Sequence, residues 1–161
     1  MGCFDKLKDK ELVLYFSNSN INTRAEWVRR LLEARKAAKI YGFEIAEDTY
    51  NHGDWRAFVA GLEDEPEKGK RCIKCFEFSL DKAAKFAKEH GIKYFTSTLS
   101  VSKYKISKDL FAAGRKVAEK YGLTFLEIDF KEDFGYEKSI DFSNKHNIYR
   151  QNYCGCEFSV K

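Results

Sequence analysis

Proline is almost missing from this chain: Pro66 is the only one among 161 residues. The sequence therefore has one strong candidate break, the loop Leu62-Glu-Asp-Glu-Pro-Glu-Lys-Gly69, and it is too short to separate domains. A single domain over 1–161 is expected. Long apolar runs are missing as well. No stretch approaches the roughly 18 apolar residues of a spanning helix, so no membrane partner is expected. The opening Met1-Gly-Cys-Phe-Asp-Lys-Leu-Lys8 has no apolar secretory core, and Lys6 stands where a myristoylation signal carries Ser or Thr. A cytoplasmic protein is expected. Histidine is scarce, with His52, His90 and His146 scattered; the last two fall in final helical turns, where a cation complements the dipole. The HExxH, P-loop, GxGxxG and GxSxG signatures are absent, leaving their chemistries unsupported. Charge of one sign is modest too. A net +4 and a pI near 8.7 fall short of an obvious nucleic-acid footprint.

What the chain does have is cysteine in pairs. Four of its five cysteines form Cys72-Ile-Lys-Cys75 and Cys154-Gly-Cys156, while Cys3 is isolated and reads as a thiol without a role. In a reducing compartment, clustered cysteines point to metal binding or catalysis. Cys72 and Cys75 open a predicted helix, where positions three apart share a face and both sulfurs can reach one metal. Lys68, Lys70, Arg71 and Lys74 crowd around them, a positive field suited to thiolates and to an anionic partner. Cys154 and Cys156 flank a glycine that permits the bend a strained, easily reduced bridge would need. The second pair could equally ligate a metal together with the first.

The remaining pattern alternates. Glu11–Phe16, Phe43–Ala46, Ile92–Thr98 and Leu123–Asp129 read as strands. Helices are predicted over Thr23–Tyr41, Asp54–Gly61, Cys72–His90, Ser107–Tyr121 and Tyr136–His146. Thr23 and Glu26 have capping-box spacing, and three helices stop at Gly42, Gly91 and Gly122. Such alternation predicts an α/β layered fold around a mostly parallel sheet. Its strand ends would carry the ligand, placing Ser17-Asn-Ser-Asn20, Thr96-Ser-Thr98 and Asp129 at that edge. Asp48, Asp54 and Asp129 are the acid/base candidates.

Several blocks resemble the QueH-type epoxyqueuosine reductases. They are Arg71-Cys-Ile-Lys-Cys-Phe76, Tyr149-Arg-Gln-Asn-Tyr-Cys-Gly-Cys-Glu-Phe-Ser159, Tyr15-Phe-Ser-Asn-Ser-Asn-Ile21, the Trp55…Gly61-Leu-Glu-Asp-Glu-Pro-Glu67 approach and Tyr94-Phe-Thr-Ser-Thr-Leu99. The resemblance implies a three-layer Rossmann-like (HUP-type) fold. It implies an enzyme with a 4Fe-4S cluster, with an additional iron ion as a further candidate cofactor, that reduces epoxyqueuosine to queuosine at the tRNA wobble position. Cys72 and Cys75 match cluster ligands, and Cys154 and Cys156 match a redox-active pair. Asn18, Asn20, Thr96, Thr98, Tyr149, Arg150, Gln151, Asn152 and Tyr153 would meet the anticodon nucleotide. An electron donor is a further expected partner. The family's first strand, which ends in a Cys-Cys-Ala-Pro motif, has no counterpart here. An open strand position is therefore expected, in a chain that is a truncated gene model, one half of a split enzyme whose second chain supplies that segment, or a remnant without full activity. The alternative is a non-catalytic tRNA- or partner-binding protein, with zinc on Cys72, Cys75, Cys154 and Cys156.

Overall fold

The structure is a computed structural model that describes residue 7 and residues 10–159, so Cys3 lies outside the described residues. The contact pattern divides the chain into two compact units. The first runs to His52 and resumes at Lys131; the second is Gly53–Phe130.

In the first unit β1 (Val13–Phe16) pairs in parallel with β2 (Glu44–Glu47), from Val13 opposite Glu44 to Phe16 opposite Glu47. Parallel neighbours need a crossover, and α1 (Arg24–Tyr41) supplies it. Its buried positions Trp27, Leu31, Ala34 and Ala38 step by three and four, so they form one stripe. That stripe packs into a core with Phe16 and Ile21, the Phe16 ring meeting Trp27 edge-on at 5.7 Å. Gly42 ends the helix in the left-handed conformation, its N–H returning to the carbonyls of Ala38 and Lys39. Beyond it, Tyr41 stacks at 4.8 Å on Phe142 of α5 (Gly135–Lys145).

The second unit holds most of α2 (His52–Phe58), then α3 (Lys70–Glu89), β3 (Tyr94–Phe95), α4 (Ser107–Tyr121) and β4 (Thr124–Phe125). Again the strands are parallel neighbours with a helix between them. Phe76, Leu80 and Ala84 of α3 close against Leu110, Ala113 and Val117 of α4, with Phe125 completing the cluster. At about 1.5–3 kcal/mol for each large side chain buried, this cluster is the second unit's main source of cohesion. Gly114 is part of the fit, because a Cβ there would stand 2.4 Å from the Phe125 ring.

The chain is thus α/β, with parallel strands joined by crossover helices, as the alternation predicts. Helix positions agree within a few residues. The third and fourth strands are much shorter than their apolar runs suggest. Ile128 N–H turns back to Leu126 O at 3.0 Å, which withdraws a ladder donor. Ser100, fully buried, then holds the departing chain by donating to Ile128 O and accepting from Phe130 N–H. Side-chain bonds replace the ladder there. Among the described residues no helix is long and apolar enough to cross a membrane.

Candidate functional site

Cys72 and Cys75 occupy the first turns of α3, half-buried, as thiols. Two N–H groups point at them. The Trp55 indole Nε1 donates to Cys75 Sγ at 3.3 Å, and the Lys68 backbone N–H to Cys72 Sγ at 3.2 Å. Neither donor is there by accident of a mobile loop. Trp55 is fully buried, and Lys68 takes a positive φ of 71° that turns its amide toward the helix start. The loop carrying Lys68 is pinned by Arg71, whose Nη1 donates to the carbonyls of Leu62, Glu63 and Glu65. Arg71 is therefore neither solvated nor aimed at the sulfurs: it is buried and holds the loop. Lys74 is engaged with Glu77 at 3.2 Å.

This donor set suits a thiophilic metal. Two sulfurs share one helical face, and each already accepts an N–H, the arrangement that orients a ligating sulfur and sets its electron density. The pair supplies two ligands. Among the described residues no group of three or more His, Cys, Asp or Glu side chains is arranged to hold a metal ion.

The second pair belongs to the first unit and is built differently. Cys156 is buried and Cys154 half-buried, both thiols. Every carbonyl of the Cys-Gly-Cys loop meets a fixed donor. Arg30 Nη1 donates to Cys154 O at 2.9 Å, Asn22 N–H to Gly155 O at 2.9 Å, and the Ser159 hydroxyl to Cys156 O at 2.7 Å. Gly155 N–H returns to Ser159 Oγ at 3.3 Å. Gly155 has φ +115°, and a Cβ there would stand 2.8 Å from Arg30 Nη1, so only glycine fits.

Arg30 is the centre of this clamp. Its side chain is 10% exposed, and its Nε is fixed by Glu26 Oε1 at 2.7 Å. Glu26 had read as half of a capping box. Thr23 is indeed the N-cap of α1, yet it makes no side-chain cap bond, and the Glu26 carboxylate is engaged instead by Arg30 and by the Tyr149 hydroxyl at 3.3 Å. The arginines of α1 also carry the aromatic residues before the thiols: Arg29 lies 3.4 Å from the Tyr149 ring centroid and Arg30 5.1 Å from that of Tyr153. Between them Arg150, Gln151 and Asn152 are exposed.

The turn after β1 lies beside this loop through Asn22. Ile21 N–H closes on Asn18 O at 3.0 Å, Asn20 is buried, and Ser17 Oγ donates at 2.9 Å to Asp48, which follows β2. His52 Nδ1 meets Ser19 O at 2.9 Å, and its Nε2 faces Glu157, next to Cys156, at 3.6 Å. In the second unit Thr96 Oγ1 donates to Leu126 O at 2.7 Å, while Thr98 is exposed. His90 and His146 are C-caps, resting on Phe86 and Phe142, as their positions predicted. Asp54 is exposed on α2 and Asp129 half-buried after β4.

The family model described as Epoxyqueuosine reductase QueH matches residues 2–161. The chain belongs to the QueH family. It is 34% identical over 152 residues to a protein of Haemophilus influenzae named epoxyqueuosine reductase QueH, an alignment covering 94% of this chain and 62% of that one. A Streptococcus pyogenes protein of the same name is 36% identical over 157 residues with the same two coverages. One from Thermotoga maritima is 30% identical over 154 residues, covering 94% of this chain and 80% of its own. The chain thus spans about three-fifths of the length of the first two relatives. Sequence reasoning singled out both cysteine pairs but missed what holds them. Trp55 carried no local signal for its role, whereas Glu26 and Arg30, four apart on a helix, offered an ion-pair spacing that the capping-box reading displaced.

Proposed function

We propose that this chain reduces epoxyqueuosine to queuosine at the wobble position of tRNA, in the cytoplasm. The observation that carries the reading is the pairing of QueH family membership with two pairs of free cysteines, each held by fixed hydrogen-bond donors to its sulfurs or its backbone. Removing an epoxide oxygen takes two electrons and two protons. Cys154 and Cys156 can supply both: the dithiol closes to a disulfide, the oxygen leaves as water, and a carbon–carbon double bond remains. An external electron donor then restores the dithiol.

Cys72 and Cys75 would hold a 4Fe-4S cluster, which supplies single electrons and Lewis acidity when bound. The chain's own contribution there is orientation: Trp55 and Lys68 fix the sulfurs before any metal arrives. At the other pair, the Arg30, Asn22 and Ser159 bonds hold the dithiol loop in one conformation, so no ordering cost falls on the reaction. His52 and Glu157, beside Cys156, are the proton-handling candidates.

The test is anaerobic reconstitution of the full chain with iron and sulfide, followed by nucleoside mass spectrometry of epoxyqueuosine-containing tRNA. Loss of one oxygen by the nucleoside is expected, abolished in Cys154→Ser and Cys156→Ser. Stoichiometric zinc without iron, no turnover, and tRNA binding unchanged in Cys154→Ser would overturn this in favour of a zinc-stabilised binding protein. Turnover that appears only when a second chain is added would assign the activity to a split enzyme.

A further inference from the structure

Beside the first cysteine pair the surface dips. The depression is lined by Lys68, Cys72, Phe76, Tyr104, Lys105 and Asp109 among others, all in the second unit. Its outer wall is the turn from Ser102 to Ile106, between the 3-10 segment Thr98–Val101 and α4. Ser102 builds that turn. Its carbonyl accepts Lys105 N–H at 3.0 Å and its hydroxyl accepts Tyr104 N–H at 3.3 Å. The turn presents a tyrosine between two lysines, with the ring 59% exposed. Lys103 Nζ stands 5.5 Å from the ring centroid, and Lys108 is exposed in the first turn of α4.

An aromatic face open to solvent, interleaved with cations, is the pattern by which proteins stack bases of single-stranded nucleic acid while neutralising the flanking phosphates. The contrast with the C-terminal tyrosines is informative. Tyr149 and Tyr153 are half-buried beside arginine guanidinium groups, whereas Tyr104, with Lys103 Nζ nearby, still keeps most of its surface open. Tyr94 and Phe134 are also exposed, but neither is among the residues that line this depression.

We propose that the Ser102–Ile106 turn is an RNA-binding element, with Tyr104 stacking a base of the anticodon loop next to Cys72. Lys103, Lys105 and Lys68 meet its phosphates. Asp109, the one acid in the wall, sits in the first turn of α4, where the helix dipole favours it, and keeps the site from being a general polyanion sink. This inference rests on the tRNA reading above and adds where on the chain the strand is held.

The experiment is fluorescence anisotropy of the full, reduced chain with a labelled RNA hairpin the size of an anticodon arm. Tyr104→Ala is expected to weaken binding by about five- to a hundredfold, the cost of one lost stacking partner, with the salt dependence unchanged. Tyr104→Phe keeps the face and should bind like the parent, which also controls for folding. Lys103→Gln with Lys105→Gln should lower the salt slope by roughly 0.7 per lost phosphate contact. Equal affinity for Tyr104→Ala and the parent overturns the assignment of this turn while leaving the tRNA reading standing. A parent chain that does not bind the hairpin sinks both.

Discussion

Replacing Trp55 with phenylalanine isolates the contact that matters most at the first cysteine pair. The change keeps an aromatic ring in a fully buried position and removes one N–H, the donor to Cys75 Sγ at 3.3 Å. Phenylalanine is smaller than tryptophan, so some stability is lost, about 1–2 kcal/mol for the unfilled volume. The informative effect is on metal binding. Removing a hydrogen-bond partner of a ligating side chain costs about 10–100-fold in metal affinity, equivalent to roughly 1.4–2.7 kcal/mol. A bond to a charged acceptor is worth about 1.5–3 kcal/mol net, so a sulfur carrying thiolate charge accounts for that range, whereas a neutral thiol would reach only its lower end.

The assay is cobalt(II) titration of the full, reduced chain under anaerobic conditions, following sulfur-to-cobalt charge-transfer absorption against a competing chelator. Trp27→Phe is the matched control, since Trp27 packs on Phe16 and Tyr50 in the first unit, whereas Cys75 lies in the second. Cobalt affinity in Trp55→Phe within about twofold of the parent would refute the argument that this indole serves the sulfur. Loss of absorption in Cys75→Ser is required for the titration to be reporting on that sulfur at all.

Three other outcomes test the rest. Gly155→Ala forces a side chain into φ +115° and against Arg30 Nη1; a loss of about 1–3 kcal/mol in urea unfolding is expected, and an unchanged midpoint would mean the loop is not clamped. Arg30→Met removes the donor to Cys154 O and leaves the Glu26 carboxylate, 13% exposed, without its guanidinium partner, costing about 2–3 kcal/mol by the same measurement, with Arg30→Lys recovering only part. Glu77 links α3 to α4: burial pushes its carboxyl up, but hydrogen bonds from Lys116 and Lys74 outweigh that and hold it below its ordinary 4.5. A carboxyl lowered by folding stabilises above its unfolded value and loses that contribution as pH falls through its folded one. The parent should therefore exceed Glu77→Gln by about 0.5–1 kcal/mol at neutral pH, the partner lysines being exposed, and the gap should close on acidification. A gap that widens in acid would reverse the sign.

Much of this was legible in the chain. Leu31, Ala34 and Ala38 announce the buried stripe of α1 because helical spacing is a local property, and Ser107 to Tyr121 is a helix between the very residues its pattern marks. The strands were less legible. Leu123–Asp129 is apolar enough for a full strand, but whether it pairs depends on Ser100, some 28 residues away, taking the Ile128 carbonyl. Both cysteine pairs stood out by spacing alone. The residues that hold them did not, because hydrogen-bond partners are chosen by the fold and leave no periodicity.

That difference separates the two thiol sites in kind. Cys72 receives its amide from Lys68, four residues back, and the loop is tied by Arg71 within the same short segment, so most of that site is assembled by local chain geometry. Only the Trp55 indole reaches in from further away. The Cys154–Cys156 loop takes its donors from Asn22 and Arg30, more than a hundred residues earlier, and only Ser159 is near in sequence. Its backbone is correct only when α1 is in place. Changes that loosen α1, including those far from any cysteine, should therefore alter the reactivity of the C-terminal thiols while leaving the amide donor of Cys72 where it is.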